Sequence, residues 1–185
     1  MIDEKEFGRM QKELESFDEA RERQITTSRE VIKLSKLAIY AVHRNDLVDA
    51  KKHLLAMEKK LPALSRQSLD EGIGNVAFQE YVEAVCYFAF VSGKPLPSAK
   101  TLKVPTDQYL MGLCDLSGEL VRRAIQDVIT DNAQGAIKVR NFVEQLYGLF
   151  LRLNLRNGEL RKKSDSIQWN LKKLDEIVFN VKVKK

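Results

Sequence analysis

The chain has 185 residues, 44% hydrophobic and 31% charged, with only 9 glycines, 4 prolines and 2 cysteines and a formal net charge of +5. That length suits one domain over residues 1–185 with a core that needs no disulfides, and the scarcity of turn formers argues against β-rich architectures. Met1–Phe17 mixes acidic and basic residues without the apolar centre of a secretory signal, and no run is long enough to span a bilayer, so a cytoplasmic protein with no membrane partner is expected.

Phe7, Met10, Leu14 and Phe17, then Val31, Leu34, Ala38 and Val42, recur at the three-and-four spacing that gathers side chains on one face of a long first helix. Asn45-Asp46 interrupts it, and Asp46 is placed to cap a second helix with Leu47, Ala50, Leu54 and Met57 on its face, ending before Pro62. Those two helices form a hairpin. Gly72–Asn75 reads as a turn, and Val76–Val91 as a buried helix interrupted by two glutamates. Ser92–Pro97 ends that helix, and Val104-Pro105-Thr106-Asp107 opens another, capped by Thr106 or Asp107 and running to Thr130. A helix over Ala133–Leu153 follows, then a last one after Asn157-Gly158 bearing Ile167, Leu171, Leu174 and Val178. No strand pattern or internal repeat competes, so the fold class is all-α, a bundle of long antiparallel helices. Cys86 and Cys114 stand singly in apolar stretches, without the spacing of a zinc site or a disulfide framework, and read as buried thiols.

The glutamates inside the third helix carry the chemistry. Glu80 and Glu83 lie three apart, about 60° around the helix axis, so they share one face among apolar neighbours. Two adjacent ionised carboxylates repel, and burying them unpaired costs several kcal/mol, so a proton or a positive charge must stand nearby. Asp115 and Glu119 repeat the arrangement four apart on the next long helix. Facing each other, the four acids form an oxygen-rich set suited to hard cations, Mg2+ or Mn2+, which can activate water and stabilise charge on a transferring phosphate. The spacing equally allows a structural reading, in which Glu80 and Glu83 pair with Arg or Lys at a groove edge and Glu119 bonds Arg122 or Arg123 one turn later.

Basic residues offer a track for an RNA backbone: Arg29, Lys33 and Lys36 share a face of the first helix, and Arg122 and Arg123 follow Glu119. The solvated side of an amphipathic helix would look the same. His43 and His53 have no nucleophile or ligand partner in sequence and read as surface or interhelical residues. Arg161-Lys162-Lys163 and Lys182–Lys185 read as solvated charge runs. Trp169 lies off the apolar stripe of the last helix, which points to a second buried face and a subunit interface. Phe179, with Phe142, Leu146, Leu149 and Phe150 before it, supports the same expectation of a closed homo-oligomer.

Gln79–Ala84 and Tyr109–Leu120 closely resemble Trax-type members of the translin/Trax family. Leu153–Asn157, Leu160–Lys163 and Lys172–Val178 resemble its translin-type members, and Val31–Lys36 is also similar. The resemblance covers nearly the whole chain. It implies an all-α subunit of a hollow octameric shell, with a magnesium-dependent endoribonuclease on the inner surface. The family's catalytic acids fall on Glu80, Glu83 and Asp115, with Glu119 as a fourth metal ligand. Translin-type members lack the first acid pair, so its presence here implies an active subunit. The implied partners are RNA, single-stranded or short duplex, single-stranded DNA, and copies of the same chain, with a mixed shell containing a translin-type subunit as the open alternative. Translin's histidine-rich basic stretch has no counterpart in Gln67–Asn75. The competing expectations are a non-catalytic single-stranded RNA or DNA binder and a helical scaffold for other proteins.

Overall fold

The computed structural model describes residues 3–64 and 71–183. Among them are seven α-helices and no strand: α1 (Glu4–His43), α2 (Leu47–Glu58), α3 (Glu71–Val91), α4 (Ala99–Leu102), α5 (Thr106–Ile129), α6 (Ala133–Phe150) and α7 (Glu159–Val183), with a single 3-10 turn at Leu61–Ala63. The all-α bundle expected from periodicity is what forms. Helix α3 packs between α1 and α5, α2 folds back on α1 as a hairpin, and α5, α6 and α7 pack on one another. One apolar cluster runs through all of these layers, with Val31, Val42, Met57, Val82, Tyr87, Leu116, Leu120, Ile167 and Leu174 fully buried. No described helix is long and apolar enough to cross a membrane. Cys86 and Cys114 are free and buried, and burial pushes both thiols up to about 12.

Local chemistry sets most helix ends. Asp3 accepts from the Lys5 amide at 2.9 Å to open α1, and Asp46 accepts from the Asp49 amide at 3.0 Å to open α2. Between α1 and α2, Asn45 takes a left-handed conformation (φ 59°) that reverses the chain. Asn132 caps α6 through the Gly135 amide at 3.1 Å.

Four expectations are corrected. Gly72–Asn75 is not a turn but the first turns of α3, because Ala77 and Phe78 are buried and Ile73 partly so, and that burial offsets the glycines' helix cost of ~1 kcal/mol. Helix α5 has Pro105 at its cap position, with no side-chain cap bond, since Thr106 and Asp107 already lie in the first turn and Asp107 accepts from the Gln108 side chain at 2.8 Å. Helix α6 stops at Phe150, short of Leu153, and the short α4, capped by Ser98, is an element the periodicity missed. The apolar stripe of α1 divides in two: Val31, Ala38 and Val42 are buried, but Phe7, Met10, Leu14 and Phe17 are all 45–66% exposed, because the bundle grips only the second half of that helix.

One close approach positions the site. A Cβ at Gly112 of α5 would lie 2.7 Å from both the Gln79 carbonyl oxygen and the Val82 Cβ of α3, so the two helices cross at a distance that only glycine permits. The acids of both helices stand within two turns of that crossing.

Candidate functional site

Glu80 and Glu83 from α3, and Asp115 and Glu119 from α5, line one open groove of about 680 Å3, together with Gln79, Lys36 and Tyr40 of α1, Arg122 of α5 and Lys163 of α7. The two acid pairs predicted from spacing are therefore brought together. The apolar neighbours of each pair turn into the core, leaving the carboxylates at the seam where α3 and α5 open to solvent.

The electrostatics are those of crowded acids short of positive charge. Burial, then the charges of Asp115, Glu80 and Glu119, pushes the Glu83 carboxyl up to about 9, with Lys163 opposing, so at neutral pH this acid keeps its proton. Glu80 is also raised, mainly by burial, with Lys36 the strongest opposing influence. Burial raises Asp115 against the pull of Lys163, whose Nζ stands 2.5 Å from Asp115 Oδ2 and donates to Gln79 Oε1 at 2.7 Å. Glu119 is held from behind: the His43 ring donates from Nε2 to its carboxylate, and the Tyr87 hydroxyl donates to His43 Nδ1 at 3.0 Å. Arg122 stands 3.9 Å from Glu119 at the groove edge.

The donor set is all oxygen, which suits Mg2+ or Mn2+ rather than zinc. Among the described residues, however, no three His, Cys, Asp or Glu side chains converge closely enough to hold a metal ion as they stand. Asp115 is instead paired with Lys163, and Glu119 with His43. The residues that could hold a divalent cation are Glu80, Glu83 and Asp115, with Asp115 rotating off Lys163, and Glu119 on the far side.

The basic residues separate into three groups. Lys36 lies in the acid groove, and Arg29 and Lys33 line a shallower groove on the same face of α1, continuous with the first through Lys36 and Tyr40. Arg122 reaches the site. Arg123 does not line the groove: the 100° step from Arg122 turns it toward buried Asp127, with which it pairs at 3.2 Å, and it donates to Asn45 at 2.7 Å and lies against Tyr87. Lys163 and Gln79 are site residues that sequence reasoning missed. Lys163 was masked by its neighbours Arg161 and Lys162, although its position four before buried Ile167 puts it on the inward stripe of α7. His43 is interhelical, with partners that are distant in sequence.

The fold and groove thus define a helical subunit with a cluster of acids at one helix crossing and a basic approach along α1. A model of the Translin family matches residues 19–185, and the chain belongs to that family. It is 25% identical to rat translin-associated protein X across 96% of this chain and 78% of that protein. Its match to chicken translin, 31% identical over 78 residues, covers 42% of this chain and spans only 34% of that protein's length. Among solved structures, apo-NeC3PO is similar at 28% identity with a TM-score of 0.87, covering 94% of this chain and 95% of that one. The complex of AfC3PO with duplex RNA shares the fold, with a TM-score of 0.88 at 23% identity over 97% of this chain and 98% of that one.

Proposed function

We propose that this chain is a metal-dependent endoribonuclease subunit, a single-domain cytoplasmic protein that works on RNA within a homo-oligomeric shell, in keeping with its octameric family resemblance. The observation that carries the reading is the set of four carboxylates from two helices around one groove, with Glu83 so short of positive charge that it keeps its proton at neutral pH. A buried acid cluster of this kind costs stability, and a divalent cation offsets that cost. Glu80, Glu83 and Asp115 are the proposed ligands, with Glu119 a fourth.

When bound, Mg2+ or Mn2+ would lower the pKa of a coordinated water and stabilise charge on the phosphate. The protein's own residues do the rest. Arg29, Lys33 and Lys36 lead the phosphate backbone along α1 to the acids, and Arg122 neutralises phosphate at the groove edge. Lys163, released from Asp115, provides a second positive charge over the scissile region. His43 and Tyr87 fix the orientation of Glu119 from the protein side. RNA as the ligand is supported by the duplex RNA bound to the structurally similar AfC3PO.

A second reading is favoured by the Lys163–Asp115 contact: a binding protein for RNA or single-stranded DNA in which Lys163 permanently stands in for a cation. Purified protein incubated with labelled single-stranded RNA, duplex RNA or single-stranded DNA, in Mg2+, Mn2+ or chelator, separates the two. Cleavage of RNA that chelator stops supports the nuclease. Retention without cleavage under every condition refutes it.

A further inference from the structure

The projecting half of α1 has two chemically distinct sides. Phe7, Met10, Leu14 and Phe17 form one exposed stripe, and at 100° per residue Glu6 and Glu13 flank it on one side and Asp18 on the other, while Lys5, Arg9 and Lys12 fall on the back. Residues 3–22 hold eight acidic residues against four basic ones in a chain whose net charge is +5. The apolar strip thus has an acidic rim in a chain of net positive charge, with Glu6 also paired to Arg9 at 2.6 Å.

Its counterpart lies on the outer side of α2. Val48 and Leu55, 84% and 48% exposed, lie at the centre of a groove of about 1070 Å3 with Phe88 of α3 at its wall, and Lys51, Lys52 and Lys59 form its rim. The acids of α2 are turned elsewhere: Asp49 contacts Arg44 at 3.6 Å and His53 at 3.5 Å, and Glu58 is close enough to Tyr81 to act on its hydroxyl. The lengths agree as well. At 1.5 Å per residue, the stripe Phe7–Phe17 spans about 15 Å and the groove from Val48 to Lys59 about 17 Å.

We propose that the apolar stripe of α1, Phe7 to Phe17, docks into the lysine-rimmed groove of α2 on a second copy of this chain. The same molecule cannot supply both surfaces. Helix α1 is continuous from Glu4 to His43, and the end of α2 is tied to it by Lys60–Glu30 at 2.5 Å, so the stripe ends about 20 Å beyond the reach of its own α2. The contact is head-to-tail, two different surfaces meeting, and such contacts close into rings when the rotation permits. This inference rests on the reading of the chain as a homo-oligomer but not on the acid groove or any catalysis there.

Two charge-reversed variants test it. One carries Lys51→Glu, Lys52→Glu and Lys59→Glu; the other carries Glu6→Lys, Glu13→Lys and Asp18→Lys. All six positions lie on helix surfaces, and circular dichroism checks that both proteins remain folded. Size exclusion with light scattering at micromolar concentration reads the mass. Each variant alone places like charges on both faces and is expected to lose mass relative to the unaltered chain. An equimolar mixture restores opposite charges at every contact and is expected to recover the original mass with the two variants in equal amounts. Unchanged mass in either variant alone, an unaltered chain running at the 21.2 kDa of one subunit, or a mixture no larger than its components would overturn the proposal. The last outcome would mean that the two faces meet something other than each other.

Discussion

Glu83→Gln is expected to make the metal-free protein more stable, and increasingly so as pH rises. In the unfolded chain this carboxyl titrates near the ordinary glutamate value of 4.5, while in the fold burial and three neighbouring acids push it up to about 9. Between those values the folded state holds a proton that the unfolded state has released, so stability falls as pH rises through that window. At pH 7 the gap of 2.5 pH units above the unfolded value corresponds to about 3 kcal/mol. The glutamine amide needs hydrogen-bond partners of its own, which removes about 1 kcal/mol, leaving a gain of about 2 kcal/mol. At this chain length that is roughly 4–8 °C in Tm. Thermal unfolding of both proteins at one concentration in chelator, at pH 5, 6, 7 and 8, gives the measurement. The Tm difference should be small at pH 5 and widen steadily to pH 8. Adding Mg2+ or Mn2+ should reverse the order, because a ligand that binds only the folded native chain stabilises it by mass action. A Glu83→Gln protein that melts at or below the unaltered chain at every pH would refute the account of Glu83 as a strained, proton-holding acid.

Glu80→Gln and Asp115→Asn should each abolish RNA cleavage with RNA retention kept within about threefold, since each removes a proposed metal ligand but no cationic contact; full turnover in both would remove the assignment. Charge reversal at Lys33, Lys36 or Arg122 should weaken RNA binding in filter retention and reduce its salt dependence, while Arg123→Met should leave affinity unchanged and lower stability by about 1–3 kcal/mol, because buried Asp127 loses its guanidinium partner and keeps the weaker contact from Asn132. Light scattering of the unaltered chain should return about eight times 21.2 kDa, and a monomer would reject the shell.

The acid site was legible because its signal is local. Carboxylates three and four apart among apolar residues occupy one helix face whatever the tertiary structure, and two such pairs on long helices have few ways to be accommodated. What remained hidden depends on three-dimensional partners. Lys163 reads as one of three consecutive basic residues until its register against Ile167 is followed, and His43 acquires Glu119 and Tyr87 only when α1, α3 and α5 meet. Arg122 and Arg123 are equivalent on paper, yet one residue of helical rotation sends the second to Asp127. Gly72–Asn75 shows the opposite failure, a strong local turn signal outweighed by burial of Ala77 and Phe78 just beyond it. The first stripe of α1 is periodic but unburied within the subunit, which periodicity alone cannot distinguish from core.

Gly112 makes the width of the acid groove a property of the main chain. With a Cβ there only 2.7 Å from the Gln79 carbonyl, α3 and α5 are already at backbone contact between the two acid pairs, and they can approach no further. Rotamer changes can swing the carboxylates, but the two walls they grow from keep a separation fixed when the helices pack. That contact bars any narrowing of the groove, so adjustment to an occupant falls to the carboxylate rotamers above a fixed floor. Even alanine at 112 would splay the walls, so a residue with no side chain sets how far apart the two acid pairs stand.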